Sequence, residues 1–166
     1  MAKITQKRLK ELLHYDTATG IFTWIVNRAK NKIKAGDVAG SVADNGYVRI
    51  TVDRQEYCAH TLAFIYMTGE VPEIPDHKNT NKLDNSWENL REATWSQNQA
   101  NKSKMKNNKS GLKGVIFEAS RKKWRADIKD APNKRQRMIG RYNCPAAASF
   151  AYQIEADKAF GEFARW

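Results

Sequence analysis

Leu9, Leu12 and Leu13 follow the i, i+3, i+4 rhythm of a helix behind Thr5, a capping residue, so a short amphipathic helix is expected over residues 6–14. A turn follows at Asp16 to Gly20, then a β-prone stretch from Ile21 to Ile25. Tyr47 to Val52 alternates, with Val48, Ile50 and Val52 on one face and Tyr47, Arg49 and Thr51 on the other. Asn45-Gly46 ahead of it is a hairpin signal. A further strand near Glu56 to Ala59 runs into a helix over His60 to Thr68, with Leu62, Ile65 and Tyr66 on one stripe and Gly69 as its stop. Pro72 and Pro75 then break regularity just before Asp76-His77.

Ser96 and Gln99 form a Ser-x-x-Gln capping box, which places a helix start at Gln97 and Asn98 in its first turn. Residues 102–109, rich in Lys, Asn and Ser, are the candidate linker. Beyond it three short strands are expected, Lys113 to Phe117, Lys123 to Ile128 and Arg135 to Gly140, with turns at Ser120-Arg121 and at Asp130 to Asn133. Pro145 suits the first position of a helix, and Phe150, Ala151 and Ile154 recur on one face until Gly161. The pattern predicts a three-stranded meander backed by one helix.

Composition sharpens this outline. Leu, Ile, Val and Phe supply only 31 of 166 residues, yet 5 Trp and 6 Tyr add bulk, so a folded chain with a modest core is expected. The longest apolar run, Leu62 to Met67, is too short for a membrane span, and the basic N-terminus lacks a signal-peptide apolar region. A cytoplasmic protein is expected, in the host cell if the gene is phage-borne. Cys58 and Cys144 show neither metal-knuckle nor disulfide spacing and read as two reduced cysteines.

The net charge of +11 is unevenly spread. Residues 1–98 hold 13 basic and 12 acidic side chains, and residues 99–166 hold 16 and 6. An excess of +10 interleaved with Phe117, Trp124 and Tyr142 points to a folded polyanion-binding surface in the C-terminal part. On the strand from Lys123 to Lys129, alternation sets Trp124, Ala126 and Ile128 toward the helix. Lys123, Arg125, Asp127 and Lys129 take the other face, with Arg121, Lys122, Arg135, Arg137 and Arg141 adding charge nearby. A small twisted sheet with such a face can enter a DNA major groove.

Catalytic chemistry concentrates in Asp76-His77-Lys78-Asn79, Asp84-Asn85-Ser86-Trp87-Glu88-Asn89-Leu90-Arg91 and Ser96-Gln97-Asn98. A carboxylate and an amide oxygen, Asp76 and Asn98, can form one oxygen site for a divalent cation, suited to magnesium or manganese rather than zinc. This segment resembles the HNH nuclease motif in its His-Asn-Asn form: His77, Asn89 twelve residues on, and Asn98 nine beyond, over residues 57–101. Ala59-His60-Thr61-Leu62-Ala63 and Thr68-Gly69-Glu70-Val71-Pro72 look like the lead-in of phage-borne members. The resemblance implies that Asp76 and Asn98 bind one Mg2+ or Mn2+ ion and that His77 is the general base. It implies a catalytic place for Asn89 as well, orienting His77 or bracing the loop. Arg91 would contact phosphate or pair with Glu88 or Asp84. His60, at the start of an apolar helix, is read as a packed residue.

The C-terminal part resembles the plant APETALA/ethylene-response-factor DNA-binding domain. Carrying residues are Gly114-Val115, Lys123-Trp124-Arg125-Ala126-Asp127-Ile128, Ile139-Gly140, Ala146 to Tyr152 and Gly161-Glu162-Phe163-Ala164. By that resemblance Lys113, Arg125 and Lys129 face DNA and Trp124, Phe150 and Tyr152 are core. Ile116, Glu118 and Met138 depart from the plant pattern, so no target sequence carries over.

The expected fold is therefore α+β: a ββα-metal nuclease domain with an N-terminal strand extension (1–101, core motif 57–101), a linker (102–109), and a three-stranded antiparallel sheet packed on one helix (110–166). The expected function is metal-dependent hydrolysis of double-stranded DNA by a phage homing-type endonuclease. Arg91, Lys113, Arg121, Lys123, Arg125, Lys129, Arg135 and Arg137 are the candidate DNA contacts. A monomer without a small-molecule cofactor or a membrane partner is expected. The alternatives are a nonenzymatic DNA-binding regulator with a decayed nuclease half and, more remotely, an RNA-binding protein.

Overall fold

The computed structural model describes residues 4–28, 32–104, 107–129 and 135–166. Its class is α+β: the described residues form small antiparallel sheets and four α-helices. The expected turn at Asp130 to Asn133 lies outside the described residues. The chain divides into two compact units, Met1–Ala93 and Thr94–Trp166. No described helix is long and apolar enough to cross a membrane.

In the first unit, α1 (Gln6–Leu12) starts as expected, with the Thr5 hydroxyl accepting from the Arg8 amide. It ends two residues early. Leu13 turns extended and opens β1 (Leu13–Tyr15), which pairs with β2 (Phe22–Trp24), because a strand lets both Leu13 and Tyr15 reach the core with His14 outward. A three-stranded sheet follows in the order β3 (Ser41–Val42), β4 (Val48–Val52), β5 (Gln55–Cys58), its first turn built on Asn45-Gly46. Ile50 and Val52 point into the core and Thr51 to solvent, as the alternation predicted. Helix α2 (Ala59–Thr68) is buried along most of its length and stops at Gly69, whose φ of +82° a side chain would resist. Its Leu62, Ala63 and Ile65 meet Leu9, Leu12 and Leu13 in one core with Phe22, Trp24, Ile50 and Val52.

The strands β6 (Ile74–His77) and β7 (Leu90–Ala93) form a separate two-stranded ribbon. Pro75 lies inside β6, not ahead of it. Both strands of a ribbon are edges, so a residue without an N–H is tolerated.

The second unit opens with α3 (Trp95–Asn101). Its capping box is Thr94 with Gln97, two residues before the one read from the sequence; Thr-x-x-Gln satisfies the same rule and lies nearer the strand it follows. The linker expected over 102–109 falls inside this unit. Its described polar side chains bond locally: Asn108 accepts from the Ser110 and Gly111 amides, and Lys104 donates to the Gly111 carbonyl. Then come β8 (Val115–Glu118), β9 (Lys123–Lys129) and β10 (Gln136–Tyr142) in sheet order β10-β9-β8, with α4 (Pro145–Phe160) packed on one face. This is the expected meander backed by a helix. The helix presents another stripe, however. Ala148, Tyr152 and Ala156 are buried against Val115, Ala126 and Ile128, while Phe150 is 64% exposed and Ile154 39%. Two small alanines let helix and sheet approach closely, and Phe150 would not fit between them.

Candidate active site

The ribbon brings Asp76 and His77 together with the residues that control them. Asp76 lies directly opposite Arg91 and His77 opposite Leu90. Neighbouring strand residues face opposite ways, yet Asp76 is only 6% and His77 5% exposed, because the chain between the two strands folds back over the ribbon. The Arg91 Nε sits 3.1 Å from Asp76 Oδ2, and both side chains are nearly buried. Removing one partner from such a pair costs about 3–5 kcal/mol, so this ion pair is structural as well as electrostatic.

The loop over residues 78–89 is a polar scaffold. Asn89 Oδ1 accepts from the Asn79 amide and its Nδ2 donates to the Asp84 carbonyl. Asp84 in turn accepts from the Ser86 hydroxyl, the Ser86 amide and the Asn79 side chain, and these donors hold its carboxyl below the usual range, the Ser86 hydroxyl most of all. Asn89 thus braces the loop, one of the two roles considered for it.

The hydrogen bond to the His77 ring comes from Asn85, whose Oδ1 is 3.2 Å from His77 Nε2. Asn85 Nδ2 donates to the Leu83 carbonyl, which fixes the amide with its oxygen toward the ring. An acceptor at that distance requires a proton on Nε2, leaving Nδ1 as the basic nitrogen. Burial lowers the His77 pKa, partly opposed by the Asn85 bond and by the Asp76 and Asp84 charges, so the ring is neutral near pH 7.

Asn85 itself is held from the N-terminal elements. The Tyr15 hydroxyl donates to its carbonyl at 2.6 Å, and Gly20, at φ +74°, packs so tightly that an added Cβ would lie 2.1 Å from the Asn85 carbonyl carbon. Trp87, two residues on, stacks edge-on against Phe64 of α2. The strand extension before the motif therefore sets the position of the residue that orients His77.

His60 and Tyr47 complete the surroundings. The His60 ring, 7% exposed, meets the His77 ring edge-to-face at 5.2 Å and Tyr47 at 5.1 Å. Lys82 Nζ lies 4.5 Å over the Tyr47 ring. Sequence reasoning placed His60 in the packing, where it is, without its contact to His77. It also missed Asn85 and Tyr47. The only signal for Asn85 was its place in the Asp-Asn-Ser turn, and Tyr47 stood on the strand face opposite Val48, Ile50 and Val52.

Asn98 stands in the first turn of α3, its amide bonded to the Thr94 carbonyl, in the second compact unit. Among the described residues no three His, Cys, Asp or Glu side chains gather into a cation cage. Asp76 offers hard oxygen donors of the kind that fit magnesium, which is commonly held by one or two carboxylates, with waters and substrate phosphate completing its shell.

The sheet of the second unit sorts the remaining candidates. Lys123, Arg125, Asp127 and Lys129 lie away from α4, and Lys129, Arg135 and Arg121 are exposed. Arg125 pairs with Asp127 at 2.9 Å, while Arg121 and Arg141 both reach Glu118. Lys123 donates to Asn143. Two candidates are placed differently from expectation. Arg137 reaches Glu155 of α4 at 2.8 Å, because the β10 register turns it to the helix side. Lys113 donates to the Ala100 and Lys102 carbonyls at the end of α3, and burial lowers its pKa to about 8. It caps a helix there and does not stand on the open face.

Residues 57–100 match the model of a family described as HNH endonuclease. Among solved structures the chain is similar to one described as "DNA binding and cleavage by the HNH homing endonuclease I-HmuI". That match is 20% identical, covers 83% of this chain and 77% of the other, and has a TM-score of 0.45. No curated protein matches the sequence. The segment that matches the HNH endonuclease model runs from β5 to α3 and contains Asp76, His77, Asn85, Asn89 and Asn98.

Proposed function

We propose that this chain is a metal-dependent DNA endonuclease of the homing type, whose first unit cuts and whose second unit holds the duplex. The observation that carries the reading is the Asp76-His77 pair at the end of β6, one a buried carboxyl paired with Arg91 and the other a neutral imidazole with its tautomer fixed by Asn85. A neutral, oriented imidazole is what a general base requires. His77 Nδ1 takes a proton from water as the oxygen attacks phosphorus, and the bond to the 3′ oxygen breaks. Asp76 would hold a magnesium or manganese ion, which would polarise the phosphate and stabilise the leaving oxygen.

The second unit is read as the anchor on DNA, a module of the APETALA type. Its +10 charge against +1 for the first unit supports this, as does the cationic sheet face bearing Lys123, Arg125, Lys129 and Arg135. Asn89 contributes by bracing the loop. Arg91 contributes by charge-pairing Asp76 through its Nε.

The test is cleavage of supercoiled plasmid DNA by the purified chain with magnesium, with manganese and with chelator. Nicking or linearisation that needs the cation, and that falls about 100-fold or more in His77→Ala, supports the reading. Equal cleavage in the presence of chelator would overturn the metal requirement.

A further inference from the structure

His60 is a buried histidine that the proposed chemistry does not use. It sits at the start of α2, 7% exposed, with its ring edge-on to His77 on one side and to Tyr47 on the other. The two inter-ring distances, 5.2 and 5.1 Å at near-perpendicular planes of 80° and 77°, are those of a packed edge-to-face array. Tyr47 also touches the His77 ring, at 6.1 Å, and its own ring is covered by the Lys82 ammonium, which donates to the Asn45 carbonyl. The array is therefore held at both ends, by α2 at His60 and by the Asn45-Gly46 turn just ahead of β4 at Tyr47.

The Asn85 hydrogen bond restrains one atom of His77, Nε2. A flat ring packed edge-on against His77 restrains the plane of the imidazole as well, and with it the aim of Nδ1. We infer that His60 is a positioning residue for His77: its ring, backed by Tyr47, sets the plane of the general base while Asn85 sets its tautomer. This inference rests on the base role given to His77 above.

A wall of this kind has to be uncharged, since a second imidazolium beside His77 would repel it. Burial, aided by the neighbouring His77, lowers His60 to about 4, so it stays neutral where the enzyme works. The polar atoms of the ring are not needed for the role. Its shape and flatness are.

The experiment compares the full-length chain with His60→Phe, His60→Ala, His60→Gln and His77→Ala, on supercoiled plasmid DNA with manganese, reading kcat and KM separately and checking folding by thermal melting. His60→Ala and His60→Gln, which lack a ring, are expected to lose about tenfold or more in kcat with KM within about twofold, because they loosen the base without touching DNA. His60→Phe restores kcat to within about threefold of wild type, since it keeps a flat ring of similar size. A His60→Phe protein as slow as His60→Gln would overturn the proposal by showing that a ring nitrogen acts. Unchanged kcat in folded His60→Gln would overturn it too. His77→Ala separates the two claims: wild-type cleavage there defeats the base role itself, whereas an inactive His77→Ala beside an unaffected His60→Gln defeats only the positioning role.

Discussion

At the scale of single residues, two buried histidines govern how the protein answers to pH. His60 takes up a proton near 6.5 when the chain is unfolded and only near 4 when it is folded. Between those values the unfolded state binds more protons, so stability is full above pH 6.5 and declines as pH falls toward 4, by about 3 kcal/mol from this residue. His60→Phe should remove that part of the decline. Urea denaturation of both proteins at neutral pH and near pH 4 isolates it; equal losses in the two would contradict the burial argument. Asn85→Ala tests the tautomer in a different way. Removing a group that orients a catalytic imidazole costs about 10–100-fold in cleavage, by analogy with second-sphere partners of metal-bound histidines. DNA affinity, read by a mobility shift, should stay where it was. Spacing singled out Asp76, His77 and Asn98 as candidates, because motif residues recur at fixed separations. It hid Asn85, Tyr47 and the His60 contact, because those depend on which side of a fold the ring and the loop come to rest.

At the scale of elements, local rules located most boundaries and missed where two rules competed. Both Thr94-x-x-Gln97 and Ser96-x-x-Gln99 satisfy the capping-box pattern, and the helix took the earlier one, next to the end of β7. Thr94→Ala should therefore cost about 1 kcal/mol of stability, measured by denaturant unfolding. The apolar stripe of α4 was misread for a related reason. Phe150 and Ile154 are the larger apolar residues, yet Ala148 and Ala156 bring the helix close to the sheet and Tyr152 fills the gap over Gly114. Close approach, not hydrophobicity, selected the buried face. The turn between β1 and β2 shows how an element far from the motif serves the site. At Gly20 an added Cβ meets the backbone of Asn85 and Ser86 at 2.1 and 2.3 Å, with φ already positive. Gly20→Ala should cost more than about 2 kcal/mol and lower cleavage by shifting Asn85. A stable variant with full activity would show that the turn and the loop are not coupled.

At the scale of the whole molecule, the charge asymmetry visible in the sequence coincides with the structural division. No charged residue lies between Thr94 and Asn98, so the near-neutral and the +10 halves are the two compact units themselves. The structure separates the open cations of the second unit from the paired ones. Lys129 and Arg135 are exposed, whereas Arg137 is paired with Glu155 and Lys113 caps α3. Replacing Lys129 and Arg135 with Ser should lower the slope of log affinity against log salt by about 2, at close to 0.9 per phosphate contact, and Arg137→Ser should leave it nearly unchanged. The central claim remains that the ribbon of β6 and β7 is a catalytic centre, and one measurement tests it most directly: nicking of supercoiled DNA in magnesium or manganese by wild type, Asp76→Ala and His77→Ala, each shown to be folded and to bind DNA. Cation-dependent cleavage by wild type with loss of about 100-fold or more in both variants is the predicted result. Cleavage that continues at the wild-type rate in either folded variant would contradict it.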